Sequence, residues 1–153
     1  VPAPQTPDAR RLPGLTACSL CSGETLADRD PAPGGQLGRL HRLAADGVAR
    51  LTLVECLDEC ERGDVVVARP SVSARGAGAA PVWFERLAGD GATAELRGWL
   101  TGGGPGAAPL PDGLADLVVQ REPTEPPEPA EPAEPAEPAE PAEPAQSSVP
   151  AQA

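Results

Sequence analysis

The sequence predicts an α/β fold in the order βαβ followed by ββα, and three observations carry that prediction. Short apolar runs recur at residues 15–18, 51–53, 65–68 and 82–84, each of strand length and bounded by turn-forming residues. Apolar residues fall at helical spacing in two longer segments, Leu37, Leu40, Leu43 and Ala44, and later Leu96, Trp99 and Leu100. Two cysteine pairs, Cys18 with Cys21 and Cys56 with Cys60, directly follow the first and second strands, which places the chemistry-bearing residues at strand ends.

In chain order, residues 1–13 carry Pro2, Pro4, Pro7 and Pro13 and read as a loose lead-in, because proline removes backbone donors from any ladder. The domain then runs over residues 14–120. Leu15, Thr16, Ala17 and Cys18 form the first strand; Gly47 is placed to end the helix that contains Leu40; and Leu51 and Leu53 alternate with Arg50 and Thr52 in a half-buried second strand. Arg62, Gly63 and Asp64 signal a turn into Val65, Val66, Val67 and Ala68, an unbroken apolar run suited to an interior strand that Pro70 closes. A Gly- and Ala-rich loop leads to Pro81 and to a fourth strand, Val82, Trp83 and Phe84, antiparallel to the third. Asp90 is positioned to cap the last helix, which stops at Gly102, Gly103, Gly104 and Pro105, a breaker and not a phosphate cradle. Leu114, Leu117, Val118 and Val119 form a further apolar group expected to dock as a C-terminal flap. This order, with a gap where a second helix would sit, matches a thioredoxin-like sheet with flanking helices.

Residues 121–153 read as a disordered acidic tail: from 128 to 145 the chain repeats Glu-Pro-Ala, and proline at every third position favours an extended polyproline conformation. Eight of the 23 acidic residues lie between 122 and 153, where there is no base, so most of the net charge of −11 belongs to the tail. All 12 basic residues are Arg, and they form no continuous patch; with the acidic balance, this argues against nucleic acid and anionic membranes as partners. No apolar run has the length of a signal peptide or a transmembrane span, so the expected compartment is cytoplasmic. In that reducing setting, four clustered cysteines are expected to be metal ligands or redox thiols before they are disulfides.

Two short-spaced thiol pairs, brought together by an intervening helix and strand, suit an iron–sulfur cluster or a metal ion. Three chemistries remain open at this point. The set of Cys18, Cys21, Cys56 and Cys60 can hold an iron–sulfur cluster or a structural zinc ion, or Cys18 and Cys21 alone can serve as the dithiol of a thiol–disulfide oxidoreductase. His41 is the single histidine; it lies on the proposed helix, and a Rieske-type site needs two. No nucleotide loop, catalytic triad or paired-carboxylate site is apparent, and no substrate chemistry is expected.

From Cys18 to Arg69 the chain resembles the thioredoxin-like [2Fe-2S] ferredoxins, and most closely the bacterial (2Fe-2S) ferredoxin domain-containing proteins. The likeness is carried by Cys56-Leu-Asp-Glu-Cys60-Glu-Arg-Gly-Asp-Val-Val-Val-Ala-Arg-Pro70, similar to that family's C-x3-C pair and following strand, and more weakly by Pro81-Val-Trp-Phe84. The resemblance implies a [2Fe-2S] cluster on Cys18, Cys21, Cys56 and Cys60 and a one-electron carrier without chemistry of its own. The C-x2-C spacing of the first pair departs from the longer spacing common among relatives. Asp58, Glu59 and Glu61 would disfavour extra negative charge on such a cluster, partly offset by Arg62, and would form an acidic rim for a redox partner protein with a basic face. Self-association into a homodimer is left open.

Overall fold

The computed structural model describes residues 8–120, apart from the side chain of Cys60. The proposed tail, residues 121–153, and residues 1–7 of the lead-in lie outside the described residues. Four strands, β1 (Gly14–Cys18), β2 (Arg50–Val54), β3 (Val66–Arg69) and β4 (Val82–Phe84), form one mixed sheet in the order β2-β1-β3-β4. β1 pairs parallel with β2 and antiparallel with β3, and β3 pairs antiparallel with β4. Among the described residues there are four α-helices: α1 (Gly35–Ala45), α2 (Val72–Gly76), α3 (Gly89–Thr101) and α4 (Asp112–Ala115).

Strand position follows from sequence. β3 is apolar on both faces, with Val66, Val67 and Ala68 all buried, and it lies inside the sheet. β2 is at the edge, where Thr52 and Leu53 are exposed and only Leu51 packs on the core, so the expected alternation is incomplete. Leu15 and Ala17 of β1 join Val66, Ala68 and Phe84 against Leu40 and Leu43 of α1 and Leu96, Trp99 and Leu100 of α3. Phe84 and Trp99 meet edge to face, ring centres 5.8 Å apart at 86°.

α1 ends as expected at Gly47, whose φ of +70° lets its N–H reach Ala44 O while the N–H of Val48 reaches Leu43 O, a Schellman closure. Its buried face is not purely apolar, because Gln36 and Arg39 are buried beside Leu40 and Leu43. The Arg39 guanidinium holds Asp30 through Nη1–Oδ2 at 2.6 Å and Nη2–Oδ1 at 2.8 Å, and Asp90 through Nε–Oδ1 at 2.9 Å. Asp90 is therefore spent on an ion pair and does not cap α3; the Gly89 N–H at that terminus is instead taken by Gln36 Oε1 at 3.0 Å.

Two further departures from expectation are local. The loop between β3 and β4 contains α2, started by Ser71, whose Oγ accepts the Ala74 N–H at 3.2 Å. Upstream of Gly14, Pro13 is buried and its carbonyl takes the Arg50 N–H at 3.0 Å, while Arg10 O takes the Val72 N–H at 3.3 Å. The flap docks as expected. Leu114 and Val119 are buried, the Glu85 N–H bonds Leu117 O and the Val119 N–H bonds Trp83 O, both at 2.8 Å, extending the sheet beyond β4.

Candidate functional site

Parallel pairing of β1 with β2 brings the cysteine loops to the same edge of the sheet. Cys18 is in register with Val54, and the ladder runs on past both strands: the Ser19 N–H bonds Val54 O at 2.8 Å and the Leu20 N–H bonds Glu55 O at 3.4 Å. Glu55 immediately precedes Cys56. The Cys18 thiol donates to that same Glu55 carbonyl at 3.1 Å, so one peptide unit separates it from Cys56.

The first pair is tight and dry. Cys18 and Cys21 are both 1% exposed, packed with Val65 and flanked by Leu57 and Trp83, and the Cys21 N–H points at Cys18 Sγ at 3.4 Å. Burial pushes the Cys21 thiol up to about 11, with the neighbouring Cys18 acting the same way against a hydrogen bond from the Val65 backbone. That thiol is protonated at neutral pH. The second pair lies in a more open loop: Cys56 is exposed, its Sγ accepts the Asp58 N–H at 3.2 Å, and Cys60 begins a 3₁₀ turn, Cys60–Arg62. Among the described residues, no three His, Cys, Asp or Glu side chains converge to hold a metal ion, a statement that does not include the Cys60 sulfur.

Beside Cys56 an open cleft of about 550 Å³ is lined by Asp58, Glu59, Glu61 and Arg62, the acidic rim expected from sequence. Arg62 is committed within it, bonding Glu59 Oε2 at 2.8 Å and Glu85 Oε2 at 2.5 Å. Hydrogen bonding to Arg62 holds the Glu85 carboxyl below its ordinary range. His41 is exposed on α1.

Sequence reasoning missed Asp64. Read only as part of a turn, it is 2% exposed, and its carboxylate accepts the Gly23 N–H at 2.5 Å and the Thr25 N–H at 2.8 Å, while its own N–H bonds Cys21 O at 3.1 Å. It thus clamps the loop carrying Cys21 onto the start of β3. An acidic residue directly before a four-residue apolar run was the available signal, since a carboxylate there is drawn indoors and must find donors. Gly63, at φ +67°, makes the turn that delivers it.

No protein-family model, curated protein or solved structure matches this chain.

Proposed function

We propose that this chain is a one-electron carrier holding a [2Fe-2S] cluster on Cys18, Cys21, Cys56 and Cys60 at one edge of a thioredoxin-like domain. The observation that carries the reading is the Cys18 thiol on the carbonyl next to Cys56, which makes the two cysteine loops immediate neighbours. The fold supports it as well. A mixed sheet of order β2-β1-β3-β4, with β3 antiparallel to both neighbours, is the arrangement a thioredoxin-like domain requires, and here the β2–β3 connection is the loop with the second cysteine pair.

The donor set fits the group in chemical type, with thiols supplied by two loops that meet at Glu55. A backbone N–H already points at one sulfur in each loop, from Cys21 to Cys18 and from Asp58 to Cys56. Cys18 would hold the cluster as a thiolate, so its proton, now shared with Glu55 O, would leave on loading, and iron binding and proton release would be linked. The bound cluster supplies one-electron chemistry. Leu57, Trp83 and Val65 exclude water from the first pair, and Asp58 and Glu61 present negative charge to an incoming redox protein with a basic face.

The dithiol oxidoreductase reading is weakened by the same geometry. An attacking thiol needs access, whereas Cys18 and Cys21 are both 1% exposed. Anaerobic purification decides among the remaining options: about two iron and two acid-labile sulfide ions per chain, a red-brown colour and a paramagnetic signal on reduction are expected. A colourless protein with about one zinc ion per chain would replace the proposal with a structural site.

A further inference from the structure

The helices α1 and α3 pack on the face of the sheet formed by Leu15, Ala17, Val66, Ala68 and Phe84. Along each strand the intervening residues point to the opposite face, and among the described residues no α-helix has its buried residues there. On that second face, where Gly14, Cys18 and Val67 are buried, Arg50 and Arg69 half-buried and Thr52 exposed, Gly14 is the register partner of Arg50 in β2 and of Arg69 in β3, so two arginines flank one glycine from either side.

Gly14 sets the arrangement. A Cβ at this position would lie 3.2 Å from Arg69 Nε and 3.3 Å from its Nη2, so glycine lets that guanidinium lie close across β1, and any larger residue would push it outward by a few tenths of an ångström. It reaches β2, where Nη2 donates to Thr52 Oγ1 at 3.1 Å, two residues along from Arg50. The Nε atoms of both Arg50 and Arg69 are buried and have no acceptor. Among the described residues no carboxylate pairs with either, whereas Arg39, Arg62, Arg86 and Arg97 all have carboxylate partners. Arg10, Arg11, Arg29, Arg42 and Arg75 are also without a carboxylate within ion-pair distance among the described residues, so what sets Arg50 and Arg69 apart is the buried Nε that has no acceptor. Buried N–H groups of this kind are costly unless something accepts from them.

We propose that Arg50, Arg69 and Thr52 form a binding site for a small phosphate-class dianion, inorganic phosphate or a phosphomonoester, on the face of the sheet opposite α1 and α3. Two planar guanidinium forks supply two charges and paired donors suited to an oxyanion, and Thr52 adds a hydroxyl. The strongly acidic chain repels a polyanion, which restricts the ligand to a small one. The site is independent of the cysteines and stands whether or not they hold a cluster.

The test is nuclear magnetic resonance of the nitrogen-15-labelled full chain, following arginine Nε–H signals during titration with inorganic phosphate at neutral pH and fixed ionic strength. Saturable shifts of two signals, assigned through R50Q and R69Q, are expected, with little response to acetate at equal concentration. Each substitution should weaken binding by about tenfold or more, R69K less, and R75Q, on α2, not at all. Absence of saturation in the unmodified chain overturns the proposal even if a variant fails to fold. An equal response to acetate or chloride, or equal weakening by R75Q, overturns it as well.

Discussion

Asp64 shows how a single buried charge organises a loop that no regular element supports. Its two oxygens satisfy Gly23 and Thr25, and its backbone ties Cys21 to β3, so the first cysteine loop is held from the side opposite β2. Replacing it by alanine strands two N–H donors, and a loss of at least about 2 kcal/mol is expected for charged hydrogen bonds of this kind. Urea unfolding of Asp64→Ala against the unmodified chain measures it; Asp64→Asn, which keeps one acceptor, should lose less, and equal stability of all three would remove the clamp. Cys56→Ser and Cys60→Ser test the other loop. Under the proposed ligation, each should abolish or sharply reduce bound iron and sulfide, read by metal analysis and visible absorption, whereas undiminished loading in both would exclude the second pair as ligands.

At the scale of elements, the junction of α1 and α3 is held by polar contacts inside an otherwise apolar seam. Asp30 is bound by both terminal nitrogens of Arg39, and these hydrogen bonds, followed by one from the Ala32 N–H, hold its carboxyl below the ordinary range. A depressed folded-state pKa stabilises the fold fully above the unfolded value, about 3.9, and that contribution is lost as pH falls through the lower folded value. Asp30→Asn should therefore melt earlier than the unmodified chain at neutral pH, and the two melting temperatures should begin to converge below about pH 4 and meet once the pH is below the lowered folded value. A gap that stays constant with pH would show that the loss comes from packing and not from the charge.

Those contacts also mark the limit of what the sequence discloses at this scale. Leu40, Leu43, Leu96, Trp99 and Leu100 announce both helices by spacing, and the valines of β3 announce an interior strand, because burial of apolar side chains leaves a periodic record. Gln36, Arg39 and Asp90 leave none, since each is buried or paired through a partner far along the chain. α2 escaped for another reason: five residues held by the Ser71 cap carry no stripe to detect. At the site, the cysteines and the sheet edge were legible from strand order, while Asp64 and the Glu55 carbonyl depend on where two loops settle.

For the whole molecule, charge is the property with the widest reach. Among the described residues no helix is long and apolar enough to cross a membrane, and the net charge of −11 acts on any approaching reactant. Near the second cysteine loop, Arg62 is occupied by Glu59 and Glu85, so Asp58 and Glu61 add local negative potential to the global one. Screening acts over about 8 Å at physiological ionic strength, so the effect should be graded by salt. If the chain carries an electron at this edge, small complex ions of opposite charge will separate electrostatics from driving force. Oxidation of the reduced protein by hexaamminecobalt(III), a cation, should slow as salt rises, and oxidation by ferricyanide, an anion, should accelerate. Stopped-flow rates over a salt series read both. Two rates that both ignore salt, or move in the same direction, would show that electrons leave elsewhere than across the acidic rim.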